Sequence, residues 1–209
     1  MKIELLNIGK KFNKDWIFRK IDHTFTPANH CAILGANGSG KSTLLQLIGG
    51  RIQSSEGKTN YFVNEKLIPD EKIYSLISLA APYQELIEEF TLLEMLRFHK
   101  KFKKSIGNLE VKDIVEILGQ GKFRNRVLKY FSSGMKQRVK LAIAILSDTP
   151  LLLLDEPLSN LDRSGYNWYR KLIEEYSHDR IIIVCSNNQE QEYFFCDQFL
   201  QLEDYKIGF

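Results

Sequence analysis

The 209-residue chain is poor in cysteine, and its three cysteines, Cys31, Cys185 and Cys196, lie far apart. An odd count without metal-ligand or disulfide spacing excludes a zinc module and a stapled scaffold. It fits a reducing cytosol, with the thiols as small apolar filler. Histidine is scarce too: His23, His30, His99 and His178 form no metal pattern. Charge of one sign is weak, a formal +3, so a nucleic-acid partner is neither demanded nor excluded. No apolar run approaches the about 18 to 20 residues that span a bilayer. Met1-Lys2-Ile3-Glu4 opens directly into a charged, alternating segment instead of a signal peptide. The expectation is a soluble protein whose membrane role runs through a partner. Repeats and low-complexity segments are missing as well. At this length the chain suits one domain, or one core with a subdomain.

What is present is organised around Gly35-Ala36-Asn37-Gly38-Ser39-Gly40-Lys41-Ser42-Thr43, which fits G-x-x-x-x-G-K-[ST]. His30 to Leu34 before it is apolar enough for a buried strand. Thr43 to Ile48 after it is helix material ending at Gly49-Gly50. Strand, glycine loop and helix together make a phosphate cradle. Glycines let successive N–H groups point inward, and the helix adds its positive end. Lys41 reaches the β- and γ-phosphates as a point charge, and the Ser42 hydroxyl can ligate Mg²⁺.

Elsewhere, Ile3–Ile8 and Ile17–Phe25 read as strands, with Lys10–Asp15 a polar turn between them. Thr59–Val63 extends the same small antiparallel layer. Ile73–Ala80 reads as an apolar strand ending before Pro82. From Glu85 to about Gly119 the pattern is helical, with Leu92, Leu93, Met95, Leu96 and Phe98 on one face and Val111, Ile114, Val115 and Leu118 on another. The basic run Arg97 to Lys104 between them reads as a solvated helix face, with contact to anionic lipid headgroups or a partner as the alternative. Leu151–Leu154 and Ile181–Cys185 are apolar at every position, the mark of strands buried on both faces of a parallel sheet, and Phe199–Leu202 closes the series. Asp155-Glu156 ends one of these strands, where ligands of an open α/β sheet bind. Asp155 is the candidate Mg²⁺ ligand. Glu156, about one water molecule further out, is the candidate base for an attacking water.

With these pieces in order, the chain resembles the ATP-binding cassette ATPases that drive membrane transporters, over nearly its whole length. Phe131-Ser132-Ser133-Gly134-Met135 resembles the family's L-S-G-G-Q signature loop, and Ser159-Asn160-Leu161-Asp162 its D-loop. The resemblance implies a P-loop NTPase of α/β class: a mostly parallel sheet flanked by helices, a small antiparallel β layer and a helical subdomain. It implies a single domain over 1–209, with a core of 1–82 and 138–209 and a helical part of 83–137. It also implies a head-to-tail dimer, with itself or another such subunit. Each ATP would lie between one phosphate loop and Ser132-Ser133-Gly134 of the facing subunit. Separate transmembrane permease subunits would be moved at the inner face of the membrane. By resemblance Phe12 stacks on the adenine, with Trp16 as the nearby rival.

Three departures stand out. Ser133 and Met135 replace a glycine and a glutamine of the signature loop. Gln84, within Pro82-Tyr83-Gln84-Glu85, falls about two positions late for the family's metal and coupling glutamine. Asn187 stands where the family has its switch histidine; it can donate a hydrogen bond to a γ-phosphate but carries no charge. Glu156, Lys41 and Asn187 are thus the expected catalytic residues, and Ser42, Asp155 and Gln84 the expected metal contacts. Two alternatives stay open: a soluble cassette acting on ribosomes or DNA, and a binder that turns ATP over slowly because of positions 133, 135 and 187. The lack of a second phosphate loop and of a heptad arm favours transport, and on that reading no nucleic-acid partner is expected.

Overall fold

A computed structural model describes residues 1–206. Its strands are β1 (Lys2–Phe12), β2 (Asp15–Phe25), β3 (Cys31–Leu34), β4 (Glu56–Val63), β5 (Lys66–Ile68), β6 (Ile77–Ala80), β7 (Leu151–Asp155), β8 (Ile181–Ser186) and β9 (Gln198–Gln201). Its α-helices are α1 (Lys41–Ile48), α2 (Leu92–Lys100), α3 (Val111–Leu118), α4 (Ser133–Ile145) and α5 (Arg163–Tyr176). The chain divides into two compact units. One comprises 1–77, 150–156 and the C-terminal part from 179; the other comprises 78–149 and 157–178. β6 straddles the division, and α5 groups with the helical unit although it follows the 83–137 span.

In the first unit an antiparallel sheet runs β2-β1-β4-β5. β1 pairs with both neighbours through irregular registers around Asn7. Asn7 holds a φ of 49°, and its N–H donates to the Asp22 carboxylate at 2.8 Å. Opposite this bulge Gly57 has a φ of 78°, and a Cβ there would lie 2.2 Å from the Asn7 carbonyl oxygen, so only glycine fits. The segment Lys10–Asp15, expected as a turn, is strand up to Phe12. The hairpin closes in two residues because Asn13 accepts a φ of 54°. The short strand β5 was not foreseen; it completes a second hairpin after Asn64 and Glu65, both at positive φ.

The parallel strands of this unit lie side by side as β7, β8, β3 and β9. Every residue of β3, β7 and β8 is buried, as expected of strands covered on both faces. Helix α1 lays Leu44 and Leu45 into this core without exposure. The strand expected at Ile73–Ala80 is corrected: Asp70–Leu76 is a 3₁₀ helix and the strand starts only at Ile77. Pro69 with Asp70 and Glu71 starts a helical turn despite the apolar residues that follow, and Ile73 is buried from that turn.

In the second unit the helical stretch is shorter than expected at its start, since α2 begins at Leu92. Thr91 and Glu94 form a capping box there, and the bonds from Thr91 hold the Glu94 carboxyl below its usual range. Of the predicted α2 face only Leu92 and Leu96 are buried, while Phe98 is exposed. α3 ends at Gly119, whose φ of 65° stops it. The Trp168 indole of α5 donates to the Ile117 carbonyl at 2.8 Å, tying α5 to α3. No helix among the described residues is long and apolar enough to cross a membrane.

Candidate functional site

The register of the parallel strands brings the chemistry to one edge. Leu34 pairs with Ser186, and Asp155 with Cys185. The residues that follow, Gly35, Asn187 and Glu156, therefore leave the sheet from the carboxyl ends of three adjacent strands. This is the edge at which open α/β sheets take ligands.

Gly40 is the residue before α1 and sits in left-handed conformation with a φ of 108°. A Cβ there would lie 2.3 Å from Ile17 Cγ2, so the loop is braced by β2. No side chain caps α1, which leaves its first amides for an anion. Ala36, Asn37 and Gly38 are exposed at the rim, Ser39 is buried, and Ser42 and Thr43 are half-buried. Lys41 is only 4% exposed, and its ammonium donates to the carbonyls of Gly35 at 2.7 Å and Ala36 at 3.0 Å. Two of its three N–H bonds thus hold the loop's shape and one remains for a phosphate.

Asp155 is 2% exposed, and neither carboxylate oxygen has a hydrogen-bond partner among the described residues. Burial pushes its carboxyl above the usual range. The nearby Ser42 hydroxyl and Lys41 oppose the rise, and Glu156 adds to it. A buried acid kept without a partner, facing a serine hydroxyl beside an anion loop, has the donor set of a hard cation. The residues fit magnesium. Glu156 is half-buried at a φ of 45°, and its N–H donates to the Cys185 carbonyl at 3.0 Å. A left-handed glutamate one step past a buried strand is the kind of strained position found at functional sites. Asn187 is exposed just beyond β8.

Phe12 ends β1 with its ring 50% exposed, and the Lys10 ammonium lies 5.0 Å from its centroid. Trp16 is more engaged, with the Arg19 guanidinium at 4.3 Å and the Lys11 ammonium at 5.3 Å from its ring. The open ring of this hairpin is Phe12.

In the helical unit, Ser132 caps α4, its hydroxyl accepting from the Met135 N–H at 3.2 Å. Ser133 and Gly134 open the helix. The Ser133 side chain is exposed, while a Cβ on Gly134 would come 2.8 Å from the Asn160 carbonyl oxygen. The glycine of this loop is therefore demanded by the chain segment lying against it. Ser132, Ser133 and Gly134 line a cavity of about 420 Å³ together with Asn160 and Asp162. Gln84 lines an adjoining groove of about 660 Å³ with Glu85, Glu88, Lys136 and Lys140, and Ser133 borders both cavities. Sequence reasoning missed Gln137, buried within α4, whose amide donates to the Pro157 carbonyl at 2.9 Å. It also missed Glu203, whose carboxylate meets the loop; at a sequence separation of 167 no local signal existed.

A glycine loop between a buried parallel strand and a helix, with an unpaired carboxylate at the end of a nearby strand, defines a nucleoside-triphosphate-binding P-loop domain. The family model for the ABC transporter matches residues 18–159. The chain belongs to that family, as one of its ATP-binding, ATP-hydrolysing subunits. It is 30% identical over 201 residues to an uncharacterized ABC transporter ATP-binding protein, YybJ, of Bacillus subtilis (strain 168), covering 96% of this chain and 92% of that one. It is 28% identical over 192 residues to the lantibiotic transport ATP-binding protein SrtF of Streptococcus pyogenes, covering 89% and 80%. The solved ATP-binding subunit of an ABC transporter superposes with a TM-score of 0.80 at 22% identity, over 95% of this chain and 85% of that one; this likeness speaks for the fold alone.

Proposed function

We propose that the chain binds MgATP on the Gly35–Thr43 loop and closes into a head-to-tail pair with a second copy or a related subunit. In that pair Ser132, Ser133 and Gly134 of one subunit cover the nucleotide held by the other. Closing and reopening drive separate transmembrane permease subunits, which places the chain in the cytoplasm against the inner face of the membrane. The observation that carries this reading is Asp155, buried, unpaired and facing Ser42 beside the Lys41 loop.

Each residue has a stated task. The amides of Gly38 to Thr43 and the Lys41 ammonium grip the phosphates, with Gly35, Ala36 and Asn37 shaping the loop. Phe12 stacks on the adenine, a contact that tolerates any base and so specifies ATP weakly. Ser42 and Asp155 hold magnesium, whose charge offsets that of the β- and γ-phosphates. Gln84 is the coupling contact on the strength of its sequence position. Glu156 takes the proton of the attacking water, and Asn187 donates to a γ-phosphate oxygen.

The test is Glu156→Gln. It keeps the shape and removes the base, so ATP binding should persist, hydrolysis should slow by roughly 10²- to 10⁴-fold, and ATP should trap a dimer on size exclusion. Undiminished turnover would take the base role away from Glu156.

A further inference from the structure

A short 3₁₀ turn at Leu202–Tyr205 follows β9 and reaches back to the phosphate loop. Two of its side chains meet the loop's glycines. Leu202, fully buried, has its Cδ2 3.5 Å from where a Gly40 Cβ would stand. Glu203 carries the polar contact: its Oε1 accepts from the Ala36 N–H at 2.8 Å, and both carboxylate oxygens lie 2.8 Å from a Gly35 Cβ position. The Gly35–Ala36 segment is thus held from two sides. On one, the Lys41 ammonium donates to the Gly35 and Ala36 carbonyls; on the other, the Glu203 carboxylate takes the Ala36 N–H. Negative charge at the Ala36 N–H and positive charge at the Gly35 carbonyl polarise the one Gly35–Ala36 peptide in the same direction, so each contact strengthens the other.

The bond lowers the Glu203 carboxyl from its usual range, the Ala36 N–H being the largest cause, with Lys206 and Lys41 adding to it. Glu203 therefore stays ionised across neutral pH. Its partner, the Ala36 N–H, is not one of the amides of α1 that would face a phosphate.

We propose that Glu203 is a positioning residue for nucleotide binding: it pins the Gly35–Ala36 stem so that Lys41 and the loop amides are already placed when ATP arrives. This rests on the ATP-binding reading above. Pre-placement lowers the ordering cost of binding, so its loss weakens affinity in ground state and transition state alike.

The experiment measures MgATP affinity of the full chain by calorimetry, in the Glu156→Gln background to suppress hydrolysis, alongside thermal midpoints. Steady-state ATPase kinetics are measured with Glu156 restored. Glu203→Ala should weaken ATP binding about three- to tenfold, the charged bond being discounted for solvent exposure. It should raise KM with kcat within about twofold. Glu203→Gln keeps an acceptor oxygen and should recover most of the affinity. Asp204→Ala, one residue along and also exposed, should behave as wild type. Unchanged or tighter ATP binding in Glu203→Ala would overturn the proposal, as would a Glu203→Gln affinity no better than that of alanine. If the parent chain itself fails to bind MgATP, the nucleotide reading falls and takes this one with it, an outcome distinct from the others. Should the alanine variant not fold, the glutamine variant decides alone: a loss beyond about threefold would refute the acceptor role.

Discussion

Replacing Asp155 by asparagine separates the cost of the proposed metal site from its purpose. Asp155 is buried, and its two oxygens lack partners among the described residues. An ionised carboxylate so placed opposes folding, and its raised proton affinity reports the same penalty. The sign follows directly. A carboxyl with raised affinity in the folded state is neutral there at low pH, where it costs little. Stability is then lost as pH climbs from the ordinary value near 3.8 through the raised one. Asp155→Asn should therefore match wild type below about pH 4 and exceed it once pH has risen through the raised value. An unsatisfied buried polar group costs about 1–3 kcal/mol, and the asparagine amide is itself unpaired, so the gain belongs near the lower end. One to two kcal/mol corresponds to roughly 3–6 °C at this size. MgATP should reverse the order: it raises the wild-type midpoint, and the asparagine variant should lose most of that rise. Scanning fluorimetry at several pH values, with and without MgATP, reads both effects. Equal midpoints in buffer at every pH, or an equal rise with MgATP, would refute the reasoning.

Lys41→Ala removes both the phosphate contact and the brace on the Gly35 and Ala36 carbonyls; ATP affinity by calorimetry should fall at least about tenfold, and an unchanged value would contradict the cradle. Gly134→Ala places a methyl 2.8 Å from the Asn160 carbonyl oxygen and should cost about 1–3 kcal/mol of stability in chemical denaturation. It should lower ATPase activity beyond that loss, since the displaced segment carries the signature loop; a neutral substitution would show that Asn160 yields freely.

Much of the site was legible because phosphate binding is written locally. A loop that must curl its backbone toward an anion needs glycines at set spacing, a lysine and a hydroxyl, and these are contiguous from Gly35 to Ser42. Buried parallel strands are equally legible, since a strand covered on both faces is apolar at every position. Reading failed where neighbours decide. Ile73 is as apolar as a strand residue, yet it is buried from a 3₁₀ turn after Pro69. Phe12 belongs to a strand that polar flanks disguised as a turn, because pairing with Asp15 outweighs local propensity.

The amino-acid order by itself determined the glycine loop, the two acids after a buried strand, the segment proposed as the signature loop and the class of chemistry. Each depends on residues close in sequence, whose spacing is the mechanism. Only the tertiary structure decided that Asp155 is buried beside Ser42 with its oxygens unsatisfied among the described residues, that Gly134 must be glycine because Asn160 presses on it, and that Glu203 grips a peptide 167 residues away. Those are facts of which surfaces meet. Strand register and packing settle them, and no periodicity along the chain can carry that information.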